Sequence, residues 1–100
     1  MKTIFKEEDG NFVMYFDGRL DTAASVNVAK ELQPLKDCKD HNIILDCTRL
    51  EYISSSGLRL FLGVLKDAKA VGSKVYIRGL NSDVQSVFAM TGFSNLFEYC

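Results

Sequence analysis

The stretch Asn42-Ile43-Ile44-Leu45-Asp46-Cys47 constrains the fold more than any other part of the chain, because three consecutive aliphatic residues suit a strand covered on both faces. Such a strand belongs in the middle of a sheet and needs helices against it. The flanking sequence supplies them. From Thr22 onward, Ala24, Val28, Leu32 and Leu35 fall at helical spacing, with Asp21 or Thr22 as N-cap. Pro34 removes a backbone donor and disfavours helical geometry at Gln33, so this helix should end or bend there. After the strand, Ser54-Ser55-Ser56 opens a longer helix with Leu58, Phe61, Leu62, Leu65 and Ala68 on one face and Lys66, Asp67 and Lys69 on the other. Gly72 is its natural C-cap.

The remaining elements complete an alternating pattern. Thr3 to Glu7 and Phe12 to Phe16 flank the turn signal Asp9-Gly10-Asn11 and read as an antiparallel hairpin. Val75-Tyr76-Ile77 makes a short strand. Ser82 and Gln85 then have capping-box spacing before a helix carrying Val84, Val87 and Phe88, which Gly92 stops. Leu96, Phe97 and Tyr99 suit a short edge strand. The expected architecture is α/β: a single domain over residues 1–100, with a mixed, mostly parallel sheet, an N-terminal antiparallel hairpin and helices packed on it. With 100 residues and 47 per cent hydrophobic content, one core holds such a domain without disulfides or metal. Loops from strand to helix lie at the carboxyl edge of the sheet, where function collects. Here they are Gly18-Arg19-Leu20-Asp21, Thr48 to Ser56 and Gly79-Leu80-Asn81, so Asp21 and the serines should be neighbours.

Charge and composition exclude several roles. Twelve basic and thirteen acidic residues give a net charge of -1 without clusters, which offers no basic face for nucleic acid or for membrane adsorption. No apolar stretch approaches the ~18 residues of a bilayer span. Glu7, Glu8 and Asp9 fall where a signal peptide would be apolar, so the chain is expected to be cytosolic. Cys38, Cys47 and Cys100 are odd in number and form no CxxC pair; they should be reduced, Cys47 in the core, Cys38 and Cys100 exposed. With His41 as the single histidine, no metal-ligand cluster is visible, and no cofactor is expected.

Serine is a favoured N-cap, but three in succession exceed what one cap needs. A phosphate there would lie beside free amides at the positive end of the helix. Asp21 suits a cap and a functional role alike. Arg59, in the first turn of the second helix, reads first as solvated charge. Gly57 lacks a side chain and would let another backbone approach the serines. A catalytic Ser55 with His41 as base and Asp21 as orienter fails on geometry, since His41 precedes the strand that ends before the serines. The first glycine of a G-x-S-x-G elbow and the P-loop spacing are both missing.

Ile43-Ile44-Leu45-Asp46 leading to Tyr52-Ile53-Ser54-Ser55-Ser56-Gly57-Leu58, with Gly18-Arg19-Leu20-Asp21 upstream, resembles a STAS domain of the bacterial anti-sigma-factor antagonist type. Gly72-Ser73-Lys74-Val75 and Val87 to Gly92 also fit, so the resemblance spans nearly the whole chain. It implies a protein that binds an anti-sigma factor serine kinase, releases a sigma factor, is switched off when the kinase phosphorylates it and is reset by a serine phosphatase. In the family motif D-[ST]-[ST]-G the acceptor follows the acid and falls on Ser55; Ser54 stands in the acid's place, and Asp21 matches the family's acidic residue near the acceptor. Asp46 is assigned to the strand end. The expected binding face comprises Asp21, Thr22, Ser25, Ser54, Ser56, Gly57 and Arg59 around Ser55. An accessory subunit of a transport or signalling complex, without a phosphorylation switch, is the alternative, and an enzyme the third reading.

Overall fold

The computed structural model describes residues 1–100. Strands β1 (Lys2–Glu8) and β2 (Asn11–Leu20) pair antiparallel across Asp9-Gly10. Both turn residues have positive φ, 53° and 80°, the conformation of a two-residue hairpin turn whose twist matches its strands. Parallel to β2 run β3 (Ile43–Ile53), then β4 (Val75–Arg78) and the two-residue β5 (Glu98–Tyr99), in the spatial order β1-β2-β3-β4-β5. Helices α1 (Thr22–Glu31), α2 (Ser55–Ala70) and α3 (Ser82–Met90) connect the parallel strands.

Each crossover steps the same way across the sheet, so right-handed connections put all three helices on one face. The core forms between that face and the helices: Phe16 of β2 meets Phe61 of α2 at 5.1 Å, and Phe61 meets Phe88 of α3 at 6.2 Å between ring centroids. Alternate strand residues Ile43, Leu45 and Cys47 point into it, while Asp46 points the other way. The middle strand is therefore helix-covered on one face, not two. Its second face is closed by neighbouring side chains: Arg78 Nε donates to Asp46 Oδ2 at 2.7 Å, the Thr48 amide donates to Asp46 Oδ1 at 3.0 Å, and Arg78 reaches the Tyr15 hydroxyl at 3.3 Å. Asp46 thus lies within the strand and is buried, rather than at the strand end.

Two expected loops are strand. Gly18, Arg19 and Leu20 continue β2, and Thr48 to Ile53 continue β3. The register between them slips twice, between Tyr15 and Asp17 and between Gly18 and Arg19, each time with an extra residue on β3. These bulges make Cys47, Leu50 and Ile53 the successive buried residues, a spacing of three in place of the two that marks a strand. Two smaller departures concern the α3 cap and Cys38. Asn81, not a Ser82–Gln85 box, caps α3 by accepting the Val84 amide at 2.8 Å. Cys38 is fully buried, its carbonyl accepting the Ser73 hydroxyl at 2.7 Å; Cys100 is exposed. As expected, helix α1 ends before Pro34, which lies within a 3-10 turn over Gln33–Leu35 that places Leu35 in the core.

Candidate functional site

The carboxyl edge is assembled from two adjacent strand-to-helix junctions. Leu20 and Ile53, the last residues of β2 and β3, are register partners, and the Ser54 amide donates to the Leu20 carbonyl at 2.8 Å. That bond places Asp21 beside Ser54. Each is an N-cap in extended conformation: Asp21 Oδ1 accepts the Ala24 amide at 2.8 Å, and Ser54 Oγ accepts the Gly57 amide at 3.2 Å. Of the two candidates for the α1 cap, Asp21 takes the role and Thr22 begins the helix. Helices α1 and α2 consequently start side by side, and neither carries an acid in its first turn.

Gly57 fixes how closely α2 sits on the strands. A Cβ there would lie 2.8 Å from both Ile53 Cγ1 and Leu20 Cγ, too close for carbon atoms in contact. The absent side chain admits two apolar side chains from below rather than another backbone from outside. This seating sorts the expected site residues into two layers. Ser25, Ser54 and Gly57 are buried, with the Ser25 hydroxyl donating to the Thr22 carbonyl at 2.6 Å. Thr22, Ser55 and Arg59 are exposed, and Asp21 and Ser56 half-buried. The outer layer is open to solvent; the inner one holds it in place.

Within the serine cluster, Ser54 spends its hydroxyl on the cap, whereas Ser55, the first residue of α2, has its hydroxyl free in solvent. Arg59 stands one turn further on, at the lip of a groove of about 240 Å³ between α1 and α2. One feature of this edge escaped the sequence reading: the Arg19 guanidinium lies over the Tyr52 ring, 4.5 Å from its centroid, with both residues exposed. The signal was available. Arg19 stands two residues before the cap Asp21 and Tyr52 two before the cap Ser54, so equal offsets on paired strands bring them together.

His41 lies at the opposite edge, stacked on Phe12 at 4.2 Å with Nδ1 2.8 Å from the Gly10 carbonyl oxygen. The eleven residues of β3 separate it from Ser55, roughly 30 Å at ~3.3 Å per residue. No Ser-His-Asp arrangement exists. Burial pushes the Cys47 thiol well above its usual range, so it stays protonated in the core. Burial also pushes the Asp46 carboxyl up, but hydrogen bonds from Thr48 and Arg78 outweigh it and hold the group below the usual carboxylate range. No group of three or more histidine, cysteine or acidic side chains is placed to hold a metal ion, and no helix is long and apolar enough to cross a membrane.

The STAS domain family matches residues 2–99. The chain is 32 per cent identical over 97 residues to BtrV of Bordetella bronchiseptica, provisionally named an anti-sigma factor antagonist, covering 97 per cent of this chain and 84 per cent of that protein. Among solved structures, an anti-sigma-factor antagonist (STAS) domain protein from Planctomyces limnophilus superposes with a TM-score of 0.89 at 16 per cent identity, covering 98 per cent of this chain and 87 per cent of the other. The phosphorylated form of the Bacillus cell fate determinant SpoIIAA gives 0.73 at 20 per cent identity, covering 99 and 91 per cent. The last two likenesses establish the fold.

Proposed function

The chain belongs to the STAS domain family, among the anti-sigma factor antagonists, and from that premise we propose that it is a phosphorylation-controlled binding module. Through the carboxyl edge it engages an anti-sigma factor with serine-kinase activity, and that engagement frees a sigma factor. The kinase transfers phosphate to Ser55, which ends the interaction, and a serine phosphatase restores it. The cycle runs in the cytosol and the chain itself catalyses nothing.

The observation that carries this reading is the division of labour inside the serine cluster. Ser54 is buried and bound to the Gly57 amide, Ser56 is half-buried, and Ser55 alone is exposed at the edge where α1 and α2 begin together. A kinase needs an accessible hydroxyl, and a partner surface shaped to a neutral one is spoiled by a dianion. Phosphate adds about two negative charges close to Asp21, which the partner would have to desolvate on docking. A loss of only ~1.4 kcal/mol weakens binding tenfold, so the switch requires no refolding.

Phosphopeptide mapping after incubation with the partner kinase and ATP tests it. Phosphate on Ser55 and weakened binding of the modified protein are expected. Modification of Ser54 or Ser56, unchanged affinity, or capture of a transport-complex subunit instead of a kinase would overturn the reading.

A further inference from the structure

We propose that Arg59 is the internal counter-ion of a phosphate on Ser55, an inference that rests on the Ser55 switch above. Arg59 follows Ser55 by four residues on the same helix, so the two share a face one turn apart. Helical side chains lean toward the helix N-terminus, which carries the arginine over the turn holding Ser55 and Ser56. Its guanidinium is uncommitted: the two ion pairs of the molecule are Arg49 with Asp17 and Arg78 with Asp46. Gly63, one turn beyond, has open space where a side chain would stand, so nothing there pins the arginine away from the serine.

The charges around this pair favour the same partner. On α2 itself the next acid is Asp67, two turns beyond Arg59, and Lys36 lines the same groove. At the neighbouring junction Asp21 is held by the Ala24 amide, and Arg19 is stacked on Tyr52. Position 54, where the family motif carries an acid, holds a buried serine that caps α2 without charge. A phosphate on Ser55 therefore meets a free cation one turn away and no carboxylate on its own turn. The pairing favours the dianion and draws the phosphate along α2 toward the groove.

Phosphoserine installed at position 55 of the full chain by genetic encoding, followed by phosphorus NMR titration from pH 4 to 8, tests this without a kinase. Arg59→Ala is expected to raise the second phosphate pKa by about 0.4 units, the size of one exposed one-turn ion pair, and Arg59→Lys to recover most of that shift. Raising the salt to about 1 M should erase the difference between wild type and Arg59→Ala. Ser54→Asp keeps the cap but places an acid beside the phosphate, and should raise the pKa as well. Identical titrations of wild type and Arg59→Ala would overturn the pairing, and so would failure of Arg59→Lys to recover it. Since the phosphate is installed directly, a Ser55 that no kinase modifies sinks the switch and leaves this titration readable.

Discussion

On the open face of the sheet, Glu8, Tyr15, Arg78 and Asp46 satisfy one another across four strands, whereas at the carboxyl edge the side chains of Thr22, Ser55 and Arg59 make no hydrogen bond or ion pair within the chain. The first set is spent on the fold. The second is available to something outside it. Beneath the second lies a support of capped helix ends and close apolar contact, so an exposed layer rides on a tightly seated base. Polar groups of this protein thus divide by whether their partners are internal, and substitutions should separate the two kinds by their effect on stability.

The largest effect should come from the support. Gly57→Val forces a side chain against Leu20 and Ile53 and should cost about 3 kcal/mol in denaturant unfolding, near the upper end for overpacking. A loss under about 0.5 kcal/mol would mean that α2 is not seated as described. Next comes the open face. Arg78→Met leaves the buried Asp46 carboxylate with the Thr48 amide alone and should cost about 2 kcal/mol, discounted from a fully buried pair because Arg78 is partly exposed.

The same pair has a pH signature. Asp46 ionises more readily folded than unfolded, so its contribution is present above the unfolded pKa of about 4 and is lost as pH falls through the lower folded value. Wild type should therefore lose more stability than Arg78→Met on acidification below about pH 4, as read from unfolding midpoints. An equal acid loss in both proteins would remove Asp46 from the account.

Loss of a cap is smaller. Ser54→Ala and Asp21→Ala should each cost ~1 kcal/mol, while Ser54→Asp and Asp21→Asn, which keep an accepting oxygen, should stay close to wild type. The smallest change in stability belongs to the outer layer: Ser55→Ala should fall within about 0.5 kcal/mol of wild type and still bind the partner, yet resist phosphorylation. Ser55→Asp should match that stability and lose at least part of the affinity. A Ser55→Ala protein as destabilised as Ser54→Ala would erase the distinction between the layers. Amide-shift mapping with the partner should find its largest changes at Thr22, Ser55, Ser56 and Arg59 rather than at Lys66, Lys69 and Lys74.

Much of the fold was readable because periodicity and turn chemistry agreed with the tertiary outcome. The helical spacing of Val28 and Leu32, the apolar run Ile43-Ile44-Leu45 and the Asp9-Gly10 turn each carry their local structure in their residue types. The second half of β3 was not readable. Thr48-Arg49-Leu50-Glu51-Tyr52-Ile53 lacks two-residue alternation since two bulges reset its register against β2, and a bulge is a property of the pair. Cys38 looked exposed among Lys36, Asp37, Lys39 and Asp40, and only the packing of the 3-10 turn against the core buries it. Asp46 carried no local mark of its partner, which lies 32 residues away on the adjoining strand.

By itself the sequence determined the order of strands and helices, the hairpin, a cap at Asp21 or Thr22 and the adjacency of Asp21 to the serine cluster. These follow from residue chemistry acting within a turn or two, and from the right-handed crossovers that L-amino-acid chains strongly favour. Only the tertiary structure decided which serine faces inward and which outward, because both are small hydroxyl residues with the same intrinsic preference. Ser54 is buried by the approach of α2 to Leu20 and Ile53, an approach that the missing side chain of Gly57 permits. The exposure of Ser55 follows from that docking distance, which no single stretch of the chain contains.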